Sequence, residues 1–126
     1  MRLLLDASFL IDHLRGDPLA AARWDAIFQN ADEPFVNEVV VAEVQTGLRP
    51  EDRTHLETLL ASLEFVQPNP SAALLAGQWR WDARASGRTL SLADALIASA
   101  AEALGCAILT RNVRGFALTP VPVETY

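Results

Sequence analysis

At 126 residues the chain has room for one domain with a proper core, and 51% hydrophobic against 21% charged residues marks it as globular, with slightly more apolar surface to hide than most. That surplus favours an oligomer or a stable partner, while a formal net charge of −6 speaks against a protein that coats nucleic acid indiscriminately. The lone cysteine, Cys106 in CAIL, excludes an internal disulfide and reads as a core residue in a reducing compartment. No run of about 18 apolar residues can span a membrane, and acids interrupt MRLLLDASFLID too early for a signal peptide, so a cytoplasmic protein is expected.

In chain order, Leu3–Leu5 reads as a short buried strand ending at Asp6. Ser8 can cap a helix running to about Arg15, with Gly16 as its stop. Asp17-Pro18 opens a second helix carrying Trp24, Ile27 and Phe28. A second strand is expected at Pro34–Val36, then a helix over Glu38–Leu48, broken by Arg49-Pro50. Leucines at 56, 59, 60 and 63 predict a helix over Glu51–Ser62, followed by a strand at Phe65-Val66. Ser71–Ala85 reads as helix, and Ser91 opens a strongly apolar helix to Leu104 with Gly105 as its stop. Ala107–Leu109 and Val121–Val123 complete the strands. Strands alternating with helices predict one α/β domain over 1–126, a parallel sheet of four to five strands covered on both faces. Ligands of such sheets bind beyond the carboxyl ends of the strands, where Asp6 and Thr110-Arg111-Asn112 fall.

Three acids stand out because each sits in an apolar stretch: Asp6 in LLLDASFLID, Glu43 in VVVAEV and Asp94 in SLADALIASAA. An ionised carboxylate taken out of water costs several kcal/mol unless it is paired or binds a metal. The chain has no lysine, and no arginine lies inside those runs, so a hard divalent cation is the economical partner. Blander readings exist for each. Asp6 can serve as a helix cap. Glu43 can point to solvent if the apolar face of its helix points elsewhere. Asp94 follows Ser91 at capping-box spacing, although glutamate suits that role better. His13 and His55 lie in different helices with no second His or Cys nearby, so zinc is unsupported. No Gly-rich phosphate loop is present, Ser8 is not in a nucleophile-elbow setting, and the aspartyl-phosphate pattern lacks its second acid after D-A-S.

The blocks LLLDASFLIDHL, VVVAEVQTGL, SLADALIASAA and ILTRNVRGF resemble, in order and spacing, the signature blocks of PIN-domain nucleases, most of all VapC-type toxins of toxin–antitoxin pairs. The resemblance covers essentially the whole chain. It implies a PIN-like three-layer α/β/α sandwich and a metal-dependent endoribonuclease. Asp6, Glu43 and Asp94 would be the acidic Mg²⁺ or Mn²⁺ ligands, with Ser8 supporting Asp6 and Thr110 orienting a carboxylate or a water. The family often carries a fourth acid where this chain has Asn112 or Gly115, so a second metal should bind weakly, or only with help from substrate.

The mechanism so implied is in-line hydrolysis of an RNA phosphodiester, with Asp6 and Asp94 as direct ligands and Glu43 acting through water or as general base. Arg111 and Arg114 are placed to clamp the phosphate backbone, and Arg80, Arg84 and Arg88 recur as a basic stripe that either binds RNA or pairs with Asp82 and other surface acids. Relatives of this kind usually form homodimers and are held inactive by a small antitoxin. Trp24, Phe28, Leu59, Leu63, Trp79 and Trp81 are the candidate contact residues. An inactive RNA-binding or regulatory PIN-like domain, and an unrelated Mg²⁺-dependent phosphatase, are the competing readings.

Overall fold

The computed structural model describes residues 1–126. Five short strands, β1 (Arg2–Leu5), β2 (Glu33–Asn37), β3 (Glu64–Val66), β4 (Ala107–Leu109) and β5 (Val123–Glu124), form one sheet in the order β3-β2-β1-β4-β5. Every pairing is parallel, with Leu3 opposite Pro34 on one side and Ala107 on the other. β1 is central and its Leu3, Leu4 and Leu5 are wholly buried, as an unbroken apolar run in a doubly covered sheet demands. Strands β2 and β3 are added on one side of β1 and β4 and β5 on the other, so the natural crevice opens beyond the carboxyl ends of β1 and β4.

Seven helices cover the sheet: α1 (Ala7–Leu14), α2 (Pro18–Gln29), α3 (Glu38–Gly47), α4 (Leu56–Leu60), α5 (Pro70–Ala85), α6 (Leu92–Leu104) and α7 (Val113–Phe116). α1 packs on α2 and α3, while α5 packs on α6, which in turn lies on β1 and β4. Right-handed crossovers put these two groups on opposite faces, giving the three layers expected. α3 and α6 also touch, which brings their side chains toward the same end of the sheet. No helix is long and apolar enough to cross a membrane.

Helix starts follow local chemistry. Asp17, Asn37, Asn69 and Ser91 each accept a backbone N–H in the first turn of α2, α3, α5 and α6. Gly105 ends α6 in the left-handed conformation, at φ 65°. α1 begins at Ala7, directly off β1 and ahead of Ser8, whose hydroxyl turns to Asp6 rather than capping the helix. The chain departs from expectation at four further places. Pro50–His55 is a 3-10 helix, so only Leu56–Leu60 of the expected 51–62 helix is α; its first apolar residue is Leu56, leaving the five polar residues before it nothing to pack. α5 starts at Pro70, capped by Asn69 rather than opened at Ser71. The last strand lies at Val123–Glu124 instead of Val121–Val123. α7 has no counterpart among the expected elements.

Of the aromatic and leucine side chains set aside for contacts, Leu59 is buried and Leu63, Trp24 and Trp79 pack on the core. Trp24 also stacks on His13 at 4.6 Å. Phe28 and Trp81 remain exposed. Cys106 is buried as expected, and burial pushes its thiol pKa up.

Candidate active site

Asp6 stands at the first position past β1, where its amide still donates to Leu109 O of β4 at 3.0 Å. It occupies the N-cap position of α1, yet its side chain caps nothing. The carboxylate is instead held from the side. Ser8 Oγ and Thr110 Oγ1 both donate to Asp6 Oδ2, at 2.8 and 2.7 Å. Each hydroxyl in turn accepts a backbone amide, Ser8 from Arg111 at 3.1 Å and Thr110 from Asn112 at 2.8 Å. With each oxygen accepting an amide, both hydroxyls are left to donate to Asp6. Oδ2 is thereby committed, and Oδ1 has no hydrogen bond. Asp6 is only 5% exposed, and no cationic side chain reaches it.

Asp94 lies in the first turn of α6. Its amide donates to the Ser91 cap at 3.0 Å, but its carboxylate does not reach back to complete a capping box. It packs instead against α7: a Cβ built on Gly115 would sit 2.6 Å from Asp94 Oδ2 and 2.4 Å from Asn112 Nδ2. Glycine at 115 is thus what lets α7 close over the carboxylate, and an acid there has no room without displacing both neighbours.

Glu43 corrects one expectation. Val40 and Val44, spaced four apart, form the buried stripe of α3, which Leu48 continues just past its end, and this turns Glu43 outward; it is exposed rather than sunk in the core. It still faces the other two acids. Its pKa is raised by partial burial of the carboxylate and then by the negative charges of Asp6 and Asp94. Asp94 is raised for the same reasons, burial first and Asp6 second, against a lowering hydrogen bond from Ser91. Neither acid has a cation partner.

These carboxylates repel one another and nothing on the protein neutralises them. No three His, Cys, Asp or Glu side chains stand close enough to grip one ion together. Mg²⁺ keeps several waters and needs only one or two carboxylates, so free Asp6 Oδ1 with one of the unpaired Asp94 and Glu43 could hold it, the third acid reaching it through a water.

The polar loop after β4 divides differently from expectation. Arg111 does not face the crevice: its guanidinium grips Asp12 through Nε at 2.8 Å and an Nη at 3.0 Å. Tyr126 adds its hydroxyl to Asp12 at 2.6 Å. That bidentate grip lowers the Asp12 pKa, while burial and then Asp12 push Tyr126 up to about 12. Asn112 caps α7 by accepting from the Gly115 amide at 3.1 Å, so its carbonyl oxygen is already engaged. Arg114, by contrast, makes no ion pair and lines a cleft with Arg88. Asp12 and Tyr126 were not among the expected residues. The only sequence signal for either was the acid one helical turn beyond Ser8.

Comparison with known proteins gives this geometry a family. The PIN domain profile matches residues 3–121. Ribonuclease VapC19 of Mycobacterium tuberculosis is 31% identical over 117 residues, covering 93% of this chain and 94% of that protein. Among solved structures, VapBC2 from Rickettsia felis, bound to a DNA fragment from its promoter, superposes with a TM-score of 0.85 at 20% identity, covering 100% and 99% of the two chains. A toxin–antitoxin complex from Klebsiella pneumoniae gives 0.78 at 22% identity, covering 97% and 96%. At those identities the two structures speak for the fold alone, whereas the profile and the ribonuclease, which span nearly the whole chain, speak for descent. This chain belongs to the PIN domain family, in its VapC-type branch.

Proposed function

We propose that this protein is the toxin of a toxin–antitoxin pair, an endoribonuclease that hydrolyses RNA phosphodiesters with Mg²⁺ or Mn²⁺ at Asp6, Glu43 and Asp94. The observation that carries the reading is Asp6 itself: a buried carboxylate, aimed by two hydroxyls, with one oxygen free and no cation on the protein to meet it. The similarity to a protein named a ribonuclease supplies the substrate class. When bound, the ion would acidify a water and offset charge building on the phosphate oxygens.

The chain's own residues do the rest. Ser8 and Thr110 fix the direction of Asp6, so its free oxygen is set before substrate arrives. Asp94, held by the Ser91-capped first turn and by Gly115, supplies the second anionic wall. Glu43 is exposed enough to meet an entering water, and its raised pKa suits a group that takes up and releases a proton. An antitoxin and a second copy of the chain are the proposed partners, supported by the solved toxin–antitoxin relative and by exposed Phe28, Phe65, Leu74 and Trp81.

The test is cleavage of total cellular RNA by purified protein with Mg²⁺ or Mn²⁺, beside EDTA and Asp6→Asn controls. Discrete products that disappear in both controls support the reading. RNA binding without cleavage under any metal replaces it with an inactive RNA-binding domain.

A further inference from the structure

The ten arginines divide into three sets. Arg2, Arg23, Arg49 and Arg111 each pair with a carboxylate. Arg15 donates to Gly47 O and Arg53 has a buried, unpartnered Nε. The other four, Arg80, Arg84, Arg88 and Arg114, make no ion pair and stand together. Arg88 and Arg114 line a cleft of about 470 Å³, and Arg80, Arg84 and Arg88 line a second of about 60 Å³. The two share Arg88 and Thr89, so they run into each other. Asp82, the acid nearest in sequence, accepts from Gln78 at 2.9 Å and pairs with none of the four. Like charges gathered without partners repel, and in a chain of net charge −6 free carboxylates are plentiful. Their separation from the acids points to an external anion.

The geometry also gives a direction. The larger cleft is walled by Asn112 and Gly115, and Gly115 lies against Asp94 Oδ2, so the cleft borders the Asp94 side of the site. From there the arginines lead away along α5, where Arg80 and Arg84 are one turn, about 6 Å, apart. Arg80 is oriented by its Nε bond to Leu90 O at 3.0 Å, leaving its outer nitrogens free. Exposed Leu92 and Val113, at 55% and 46%, belong to the first turns of α6 and α7. Val113 adjoins Arg114 in sequence and Leu92 lies two residues past Leu90, whose carbonyl holds Arg80; apolar side chains beside a phosphate track suit unstacked bases, as a single strand offers.

We propose that Arg114, Arg88, Arg84 and Arg80 form a track that holds the backbone of single-stranded RNA on one side of the scissile bond. This deepens the ribonuclease reading and rests on it. Arg111, committed to Asp12, is outside the track.

The test measures affinity of a fluorescent single-stranded oligoribonucleotide for the Asp6→Asn protein across a salt series, with wild-type cleavage assayed in parallel. Arg84→Ala/Arg88→Ala should weaken binding on the order of tenfold and flatten the log–log salt slope by about 1.4, two phosphate contacts' worth. Arg49→Ala, which removes a paired arginine, should change neither. Arg88→Lys should keep the slope, which separates charge from folding. Equal losses in the Arg49 and Arg84/Arg88 variants, or no loss in either, overturn the track while wild-type cleavage leaves the nuclease reading standing. A polyglutamate peptide that competes as well as RNA would make the arginines a protein-binding surface and also overturn it. RNA bound along the track but never cut would sink the nuclease reading alone.

Discussion

The wall of the site made by β1 and β4 and the wall made by α3 and α6 carry the same group, a carboxylate, in opposite conditions. Asp6 is buried and satisfied on one oxygen by two hydroxyls that each accept a backbone amide. Glu43 and Asp94 have no donor on their carboxylates except the weak support of Ser91, and both are pushed toward protonation. One wall is fixed before any ligand arrives, and the other is electrostatically loaded until one does. Removing support from the first wall therefore costs the fold, and removing charge from the second costs only the chemistry.

Asp6→Asn should have the largest effect. Asparagine still accepts through its carbonyl oxygen, so the fold should survive, but the anion is gone. RNA cleavage should fall by at least about a hundredfold with the circular dichroism spectrum unchanged. Activity within a few-fold of wild type would remove Asp6 from the chemistry. Thr110→Val tests the fixed wall more finely. It deletes one donor to Asp6 and leaves the Asn112 amide unpaired, which should cost about 1–3 kcal/mol in urea unfolding, with a matching loss of activity. Thr110→Ser should restore most of both.

The loaded wall should behave the other way. Glu43→Gln should cut cleavage yet raise the melting temperature of metal-free protein, because it removes a charge repelled by Asp6 and Asp94. Asp94→Asn should gain less, since Asp94 also sits at the favourable end of the α6 dipole. The same contrast sets the pH dependence. Folded pKa values of Glu43 and Asp94 lie above their unfolded ones, so the native state holds protons that the unfolded chain releases. Their contribution to stability therefore falls as pH rises from ordinary carboxylate values through the raised ones. Asp12 is lowered, so its contribution is present above the ordinary aspartate value and is lost as pH falls through the folded one. Metal-free protein melted across pH 3 to 8 should thus gain stability on mild acidification, and saturating Mn²⁺ should abolish that gain. A flat profile in that region would break the contrast between the walls.

Most of the fixed wall was legible in the sequence. A triple leucine ending in Asp6 announces a central strand with an acid at its mouth, and D-A-S with L-T-R-N places the two hydroxyls beside it. The loaded wall was half legible. SLAD shows a Ser cap and a free acid, but the outward turn of Glu43 depends on which valines of VVVAEV find the sheet, and a helix apolar almost all round does not declare its inner face. α7 spans four residues, too few for any periodicity to register. Which of Arg111 and Arg114 stays free was not readable at all, since Arg111 is taken by Asp12, about a hundred residues away in the chain.

Gly115→Ala probes the seam between the walls. The methyl would meet the mobile ends of Asp94 and Asn112, which can give way, so the stability cost should stay near 1 kcal/mol. Both displaced groups border the site, so cleavage should drop further than stability. Equal, small changes in both would mean that Asp94 tolerates movement.

Tyr126→Phe should have the smallest effect and the most particular signature. Tyr126 packs edge-on against Phe9, with ring centroids 5.0 Å apart, and its hydroxyl donates to the Asp12 carboxylate that Arg111 grips. Phenylalanine keeps the ring contact and deletes only the donor, at a cost of about 0.5–1.5 kcal/mol. Arg111 also donates its amide to Ser8, which aims Asp6, so the loss reaches the fixed wall through one intermediary. Asp12 would then lose one of the partners that lower its pKa, and the acid limb of the stability profile should move to slightly higher pH. The loaded wall shares none of these bonds. The gain of metal-free protein on mild acidification should therefore be the same in Tyr126→Phe as in wild type, and a change in it would show that the two walls are mechanically coupled after all.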